Sequence, residues 1–160
     1  PYRTNAGHVV QLGLVGDPVA TAPHKLLSQL VHAGYTPIIA SIGVTRDGQL
    51  VNVNADALAA QLAVNLHATT LMVVGTTAGV LDIDQRSLPR INDEDIERLV
   101  ANGVISAGMV AKLTSCRAAR QGGVPNVRII DGRTSIDVNG GTGTIIDTAT
   151  VVPEKEKAKL

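Results

Sequence analysis

Asn52, Asn54 and Asp56 alternate within Asn-Val-Asn-Ala-Asp, at the point where a strand-like pattern gives way to a helical one. Leu50, Val51 and Val53, with Asn52 interleaved, read as a strand. Leu58, Leu62 and Leu66 then recur every four residues with Ala59 and Ala63 beside them, the pattern of an amphipathic helix. Two amides and a carboxylate therefore occupy a strand-to-helix corner, where backbone N–H groups favour anions. Asn54 and Asp56 both suit an N-cap, so one reading of the cluster is capping alone. The other is a polar site that holds a substrate or a metal-bound phosphate. Lys112 is the next group able to do chemistry. It lies about two turns into a helix opened by Ser106-Ala107-Gly108-Met109-Val110-Ala111, and helical side chains lean toward the N-terminus. Its ammonium can thus reach the helix start, which also attracts phosphate; a solvated surface lysine is the plain alternative.

Gly75-Thr76-Thr77-Ala78-Gly79 directly follows the apolar run Thr70-Leu71-Met72-Val73-Val74. Small residues and hydroxyls after a buried strand let a ligand approach the backbone, the usual place for nucleotides in open α/β sheets. A loop that only needs to turn tightly has the same composition. The segment is neither a Walker loop nor a dinucleotide fingerprint. His8, His24, His32 and His67 are scattered without ligand spacing, and no zinc or iron site is legible.

The elements that position these groups are aliphatic. Apolar residues make up 44% of 160, with two Tyr and no Phe or Trp. Such a core suits buried strands under Ala-rich helices, and the length suits one domain. Net charge is zero, with no basic stripe or stacking aromatics, so nucleic acid is not an expected partner. The single cysteine, Cys116, rules out an intrachain disulfide framework. No signal peptide or membrane-length apolar run is present, and the expected location is the cytoplasm. Because the sequence opens without Met, a fragment or processed piece is one expectation.

In chain order, Val9–Gly16 reads as a strand turning at Gly16-Asp17-Pro18. Pro23 suits the first position of a helix with Leu26, Leu27, Leu30 and Val31 on one face and Gly34 as its stop. Pro37-Ile38-Ile39-Ala40 reads as the second strand of a βαβ unit. Asp47-Gly48 signals a hairpin between Ile42–Val44 and Gln49–Val53. Further on come a helix over 92–101, the Lys112 helix up to Gly122-Gly123, and strands at 126–130 and 143–146. The tail from Val152 is charged.

Together Gly13-Leu14-Val15-Gly16, Asn52-Val53-Asn54-Ala55-Asp56, Gly103-Val104-Ile105, Gly108-Met109-Val110-Ala111-Lys112, Ile129-Ile130-Asp131-Gly132-Arg133 and Gly143-Thr144 carry a resemblance. They resemble the C-terminal half of the amino acid kinase family, in its acetylglutamate kinase branch, from Gly13 to Ile146. The order of Asn-x-Asn-Ala-Asp and Gly-Met-x-x-Lys is its specific part. The resemblance implies a three-layer α/β/α sandwich with a mainly parallel sheet. Residues 1–150 would form the nucleotide-binding half and 151–160 a disordered tail.

It also implies roles. Asn52 and Asn54 would contact the acyl-amino-acid substrate, Asp56 would order catalytic lysines, and Lys112 would steady the transferring phosphoryl group. Gly75, Thr76, Thr77, Ala78, Gly79, Val80 and Leu81, with Val104, Ile105, Ser106 and Met109, would contact ATP. Mg2+ would arrive with the nucleotide rather than on a protein metal site. The implied activity phosphorylates the side-chain carboxylate of N-acetylglutamate, or of an aminoadipate derivative, in a full-length homo-oligomer. A degenerate, non-catalytic nucleotide-binding module is the alternative. Three departures stand out: Thr76 replaces the family's usual aspartate, the stretch between Arg133 and Gly143 is short, and no Lys-x-Gly-Gly phosphate loop occurs.

Overall fold

The computed structural model describes residues 2–3, 7–10, 13–21, 24–133 and 143–147. In chain order the first elements are β1 (Tyr2–Arg3), β2 (Val9–Val10), β3 (Val15–Gly16), α1 (Lys25–His32), β4 (Ile42–Val44), β5 (Leu50–Val53) and α2 (Ala55–Asn65). Next come β6 (Thr70–Gly75), β7 (Arg90–Ile91), α3 (Asp93–Ala101), α4 (Ala107–Gln121), β8 (Asn126–Asp131) and β9 (Thr144–Ile146).

The aliphatic runs build the centre. β6 and β8 pair in parallel over their full length, from Thr70 opposite Asn126 to Gly75 opposite Asp131. β9 is antiparallel to β8 and parallel to β7, which gives the order β6-β8-β9-β7. Leu71, Val73, Val127, Ile129 and Ile146 join Ala60 and Ala63 of α2, Ile96 and Leu99 of α3, and Leu113, Cys116 and Ala119 of α4 in one core. This is the α/β class that the aliphatic composition requires.

A smaller sheet, β3-β5-β4, leads into α2. Its antiparallel β4–β5 arm closes through Thr45–Gln49, with Gly48 at φ +86 where only glycine sits without strain. β3 pairs with β5 in parallel, Val15 opposite Asn52. Cross-strand partners share a face, so Val15, Ile42, Val44 and Leu50 surround Asn52 on one side of this sheet. All five are exposed.

Local signals set the helix ends. Asn54 Oδ1 accepts the Ala57 N–H at 3.0 Å to cap α2. Asn92 and Asp95 cap α3 reciprocally, and Ser106 caps α4. Gly34 ends α1, its N–H bonding Val31 O while the Tyr35 N–H bonds Leu30 O.

Three expectations need correction. Pro37–Ala40 is not a strand: no described strand pairs with it, and Ile38 is 98% exposed. The single strand expected over Val9–Gly16 is two pieces, because β2 pairs with β1 while β3, beyond Gly13, pairs with β5. The deepest face of α2 is Ala60 and Ala63, whose small side chains let α4 approach closely. Leu58 and Leu62 instead face the small sheet across a cavity of about 320 Å3, and Leu66 is the C-cap. Pro23, the stretch 134–142 and the charged tail lie outside the described residues.

Candidate active site

With Asn54 taken up as the cap, Asp56 is free for other work at the second position of α2. Lys112 Nζ lies 3.0 Å and 3.1 Å from its two carboxylate oxygens. The partners come from adjacent helices, α2 and α4, and their side chains are only 21% and 27% exposed. An ammonium has three N–H donors. Asp56 occupies the side of Lys112 that faces it, and the remaining donor capacity is available to an anion. The α2 N-terminus, with its partial positive charge, backs the carboxylate.

Cys116 lies one turn beyond Lys112 and is fully buried. Burial pushes its thiol up to about 12 from an ordinary 9.0; the Asp56 charge adds to this and the Lys112 charge opposes it. The folded chain therefore holds the thiol proton where the unfolded chain loses it. The associated stability is complete below about pH 9 and is lost as pH rises toward 12. The expected result is that a maleimide at pH 8 labels Cys116 only after denaturation. Labelling of the folded chain at the same rate would contradict this burial.

One turn toward the start of α4 a cavity of about 190 Å3 opens. Thr77, Gly79 and Leu81 form one wall, with Gln85; Val104, Ile105, Ser106 and Met109 form the other. Met109 and Lys112 are three residues apart and so neighbours on one helix face. The cavity, lined by both polar and apolar side chains, thus lies one helical turn from Lys112, a spacing that suits a nucleotide's base and phosphates.

Seven of the residues expected to contact nucleotide line this cavity. Four do not. Gly75 ends β6, its carbonyl accepting the Gly132 N–H at 2.9 Å. Thr76 and Ala78 are exposed on the outer side of the loop, and the Val80 side chain is fully buried in the core. Gln85 was not among the expected residues. It sits in the turn over 82–86 with φ +60, and no local signal in the sequence marks it. Asn52 lies on β5, two residues before the Asn54 cap, and projects from the exposed face of the small sheet. At the end of β8 the Arg133 side chain hydrogen-bonds the Asp131 carboxyl and holds it down at about 2.

The model of the amino acid kinase family matches residues 6–131. The chain is 39% identical to the acetylglutamate kinase of Afipia carboxidovorans over 89% of this chain and 50% of that one. It is 38% identical to that of Rhodospirillum centenum over 89% and 48%. The chain thus spans about half the length of the curated relatives it matches. Among solved structures, smu.665 from Streptococcus mutans superposes with a TM-score of 0.74 at 31% identity, covering 88% of this chain and 52% of that one. Giardia lamblia carbamate kinase bound to AMP-PNP shares the fold, with a TM-score of 0.60 at 20% identity over 79% and 44%.

Proposed function

The chain belongs to the amino acid kinase family, and on that footing we propose that it is the nucleotide-binding half of an acetylglutamate kinase. The reaction is transfer of the γ-phosphoryl group of MgATP to the side-chain carboxylate of N-acetyl-L-glutamate, a step of arginine biosynthesis in the cytoplasm. The observation that carries this reading is the Asp56–Lys112 pair one helical turn from the cavity between Leu81 and Met109.

The chemistry asks for little else from this half. Phosphoryl transfer passes through a loose transition state that needs positioning and positive charge. A carboxylate acceptor is already anionic and needs no general base. Lys112 supplies charge to the transferring group and Asp56 holds Lys112 in place. Mg2+ would enter on the triphosphate. Thr76 is exposed and outside the cavity lining, so the departure from aspartate there leaves the base wall intact.

The uncovered surface supports the reading as a half. All but Val74, Ile83 and Val100 of the exposed large apolar side chains among the described residues fall between Val9 and Leu50. α1 has no buried residue. Apolar area on this scale calls for a covering layer. The face around Asn52, where the acceptor would bind, is part of it.

The test is an assay of acyl phosphate formation, trapped with hydroxylamine, after the amino-terminal half of the Afipia carboxidovorans relative is joined to this chain. Turnover with N-acetylglutamate exceeding that with N-acetyl-aminoadipate is the expected result. A preference for the longer acceptor would reassign the substrate. Nucleotide affinity without any transfer would select a non-catalytic module.

A further inference from the structure

We propose that Thr144 is a positioning residue for nucleotide: its hydroxyl pins the loop that forms one wall of the cavity to the central sheet. The inference rests on the nucleotide reading above and assigns a role within it to a residue that does not line the cavity.

Thr144 opens β9 and is fully buried. Its Oγ1 accepts the Val80 N–H at 2.7 Å and donates to Leu88 O at 2.6 Å. Those two residues form the neck of the loop, since the Leu88 N–H also bonds Val80 O at 2.8 Å. Beyond the neck, Leu81 and Ser87 are bridged and the chain turns over 82–86. Leu81 and Gln85, which line the cavity, therefore hang from a neck that the Thr144 hydroxyl ties to the sheet, beside the Ile145 N–H bond to Pro89 O.

The strand side of the loop is tied down as well. Gly79 lies so close to Thr144 that a Cβ there would come within 2.5 Å of Oγ1. The Thr77 hydroxyl bonds Gly79 O, and the Ser87 hydroxyl bonds Ala78 O, each at 2.7 Å. Only a side chain that both donates and accepts from a buried position can satisfy an amide and a carbonyl together, and a hydroxyl does so. Valine keeps the shape but leaves the Val80 N–H and Leu88 O unsatisfied in the core, a state the loop would relieve by shifting.

The experiment is titration calorimetry with MgADP on the unsubstituted chain, Thr144→Val, Thr144→Ser and Ser87→Ala, each checked by circular dichroism. Expected is a roughly tenfold loss of MgADP affinity for Thr144→Val, recovery to within about twofold for Thr144→Ser, and a roughly threefold loss for Ser87→Ala. Ser87 is exposed, and its variant loosens the same loop at the Ala78 carbonyl without a buried change should Thr144→Val fail to fold. Normal affinity in a folded Thr144→Val, or in Ser87→Ala when Thr144→Val does not fold, overturns the inference alone. No heat from the unsubstituted chain overturns the nucleotide reading, and this inference with it.

Discussion

Lys112→Ala in the chain joined to an amino-terminal half is expected to lower kcat about a thousandfold, roughly 4 kcal/mol of transition-state stabilisation. The ammonium is held 3.0 Å and 3.1 Å from Asp56, one helical turn from the cavity that Met109 lines. Removing it deletes a preorganised positive charge where charge moves during transfer. Asp56→Ala is expected to lose less in kcat, about a hundredfold, because Lys112 remains but is no longer oriented. It should also cost about 2 kcal/mol of stability, since a lysine only 27% exposed is left without its partner. Because the residues act as a unit, the double variant should be scarcely slower than Lys112→Ala alone. Additive losses in the double variant would mean that Asp56 acts independently of the lysine.

The largest effect on stability is expected from Gly143→Ala. Gly143 has φ +94, and a Cβ there would clash with Ile129 O and lie 3.0 Å from Ile130 Cγ2. A carbonyl in the middle of β8 cannot move aside without breaking the sheet. The strain of a left-handed alanine adds to the clash, and the total is about 3 kcal/mol or more. For a chain of this size that lowers the midpoint of thermal unfolding by roughly 10 °C. Gly48→Ala is the control. It has a similar φ of +86 but open space around the added Cβ, so only about 1 kcal/mol is expected. Equal shifts in the two variants would show that φ alone decides, with nothing added by the approach to Ile129.

What could be seen in advance was local. Asn92 and Ser106 sit at helix starts, and Gly34, Gly103 and Gly123 just past helix ends, because capping acts within four residues. Asp47-Gly48 marked its hairpin for the same reason. Pro37–Ala40 failed because an apolar run becomes a strand only beside a neighbour, and no described strand pairs with it. On α2 both the leucine and the alanine faces are apolar, and periodicity alone could not say which one α4 would bury. Asp56 and Lys112 are 56 residues apart. Their partnership was implied by motif order and resemblance, not by spacing. Thr144 reaches across 64 residues to Val80, and Gln85 enters the cavity wall through the path of a turn. No window of sequence contains either relation.

The most direct test of the central claim is calorimetric titration of MgATP into this chain and into Lys112→Ala. The arrangement of cavity and ammonium predicts saturable heat for the unsubstituted chain and roughly tenfold weaker affinity for the variant, about 1.4 kcal/mol. Identical affinities in the two, or no binding by either, would contradict the assignment of this corner to a nucleotide's phosphates.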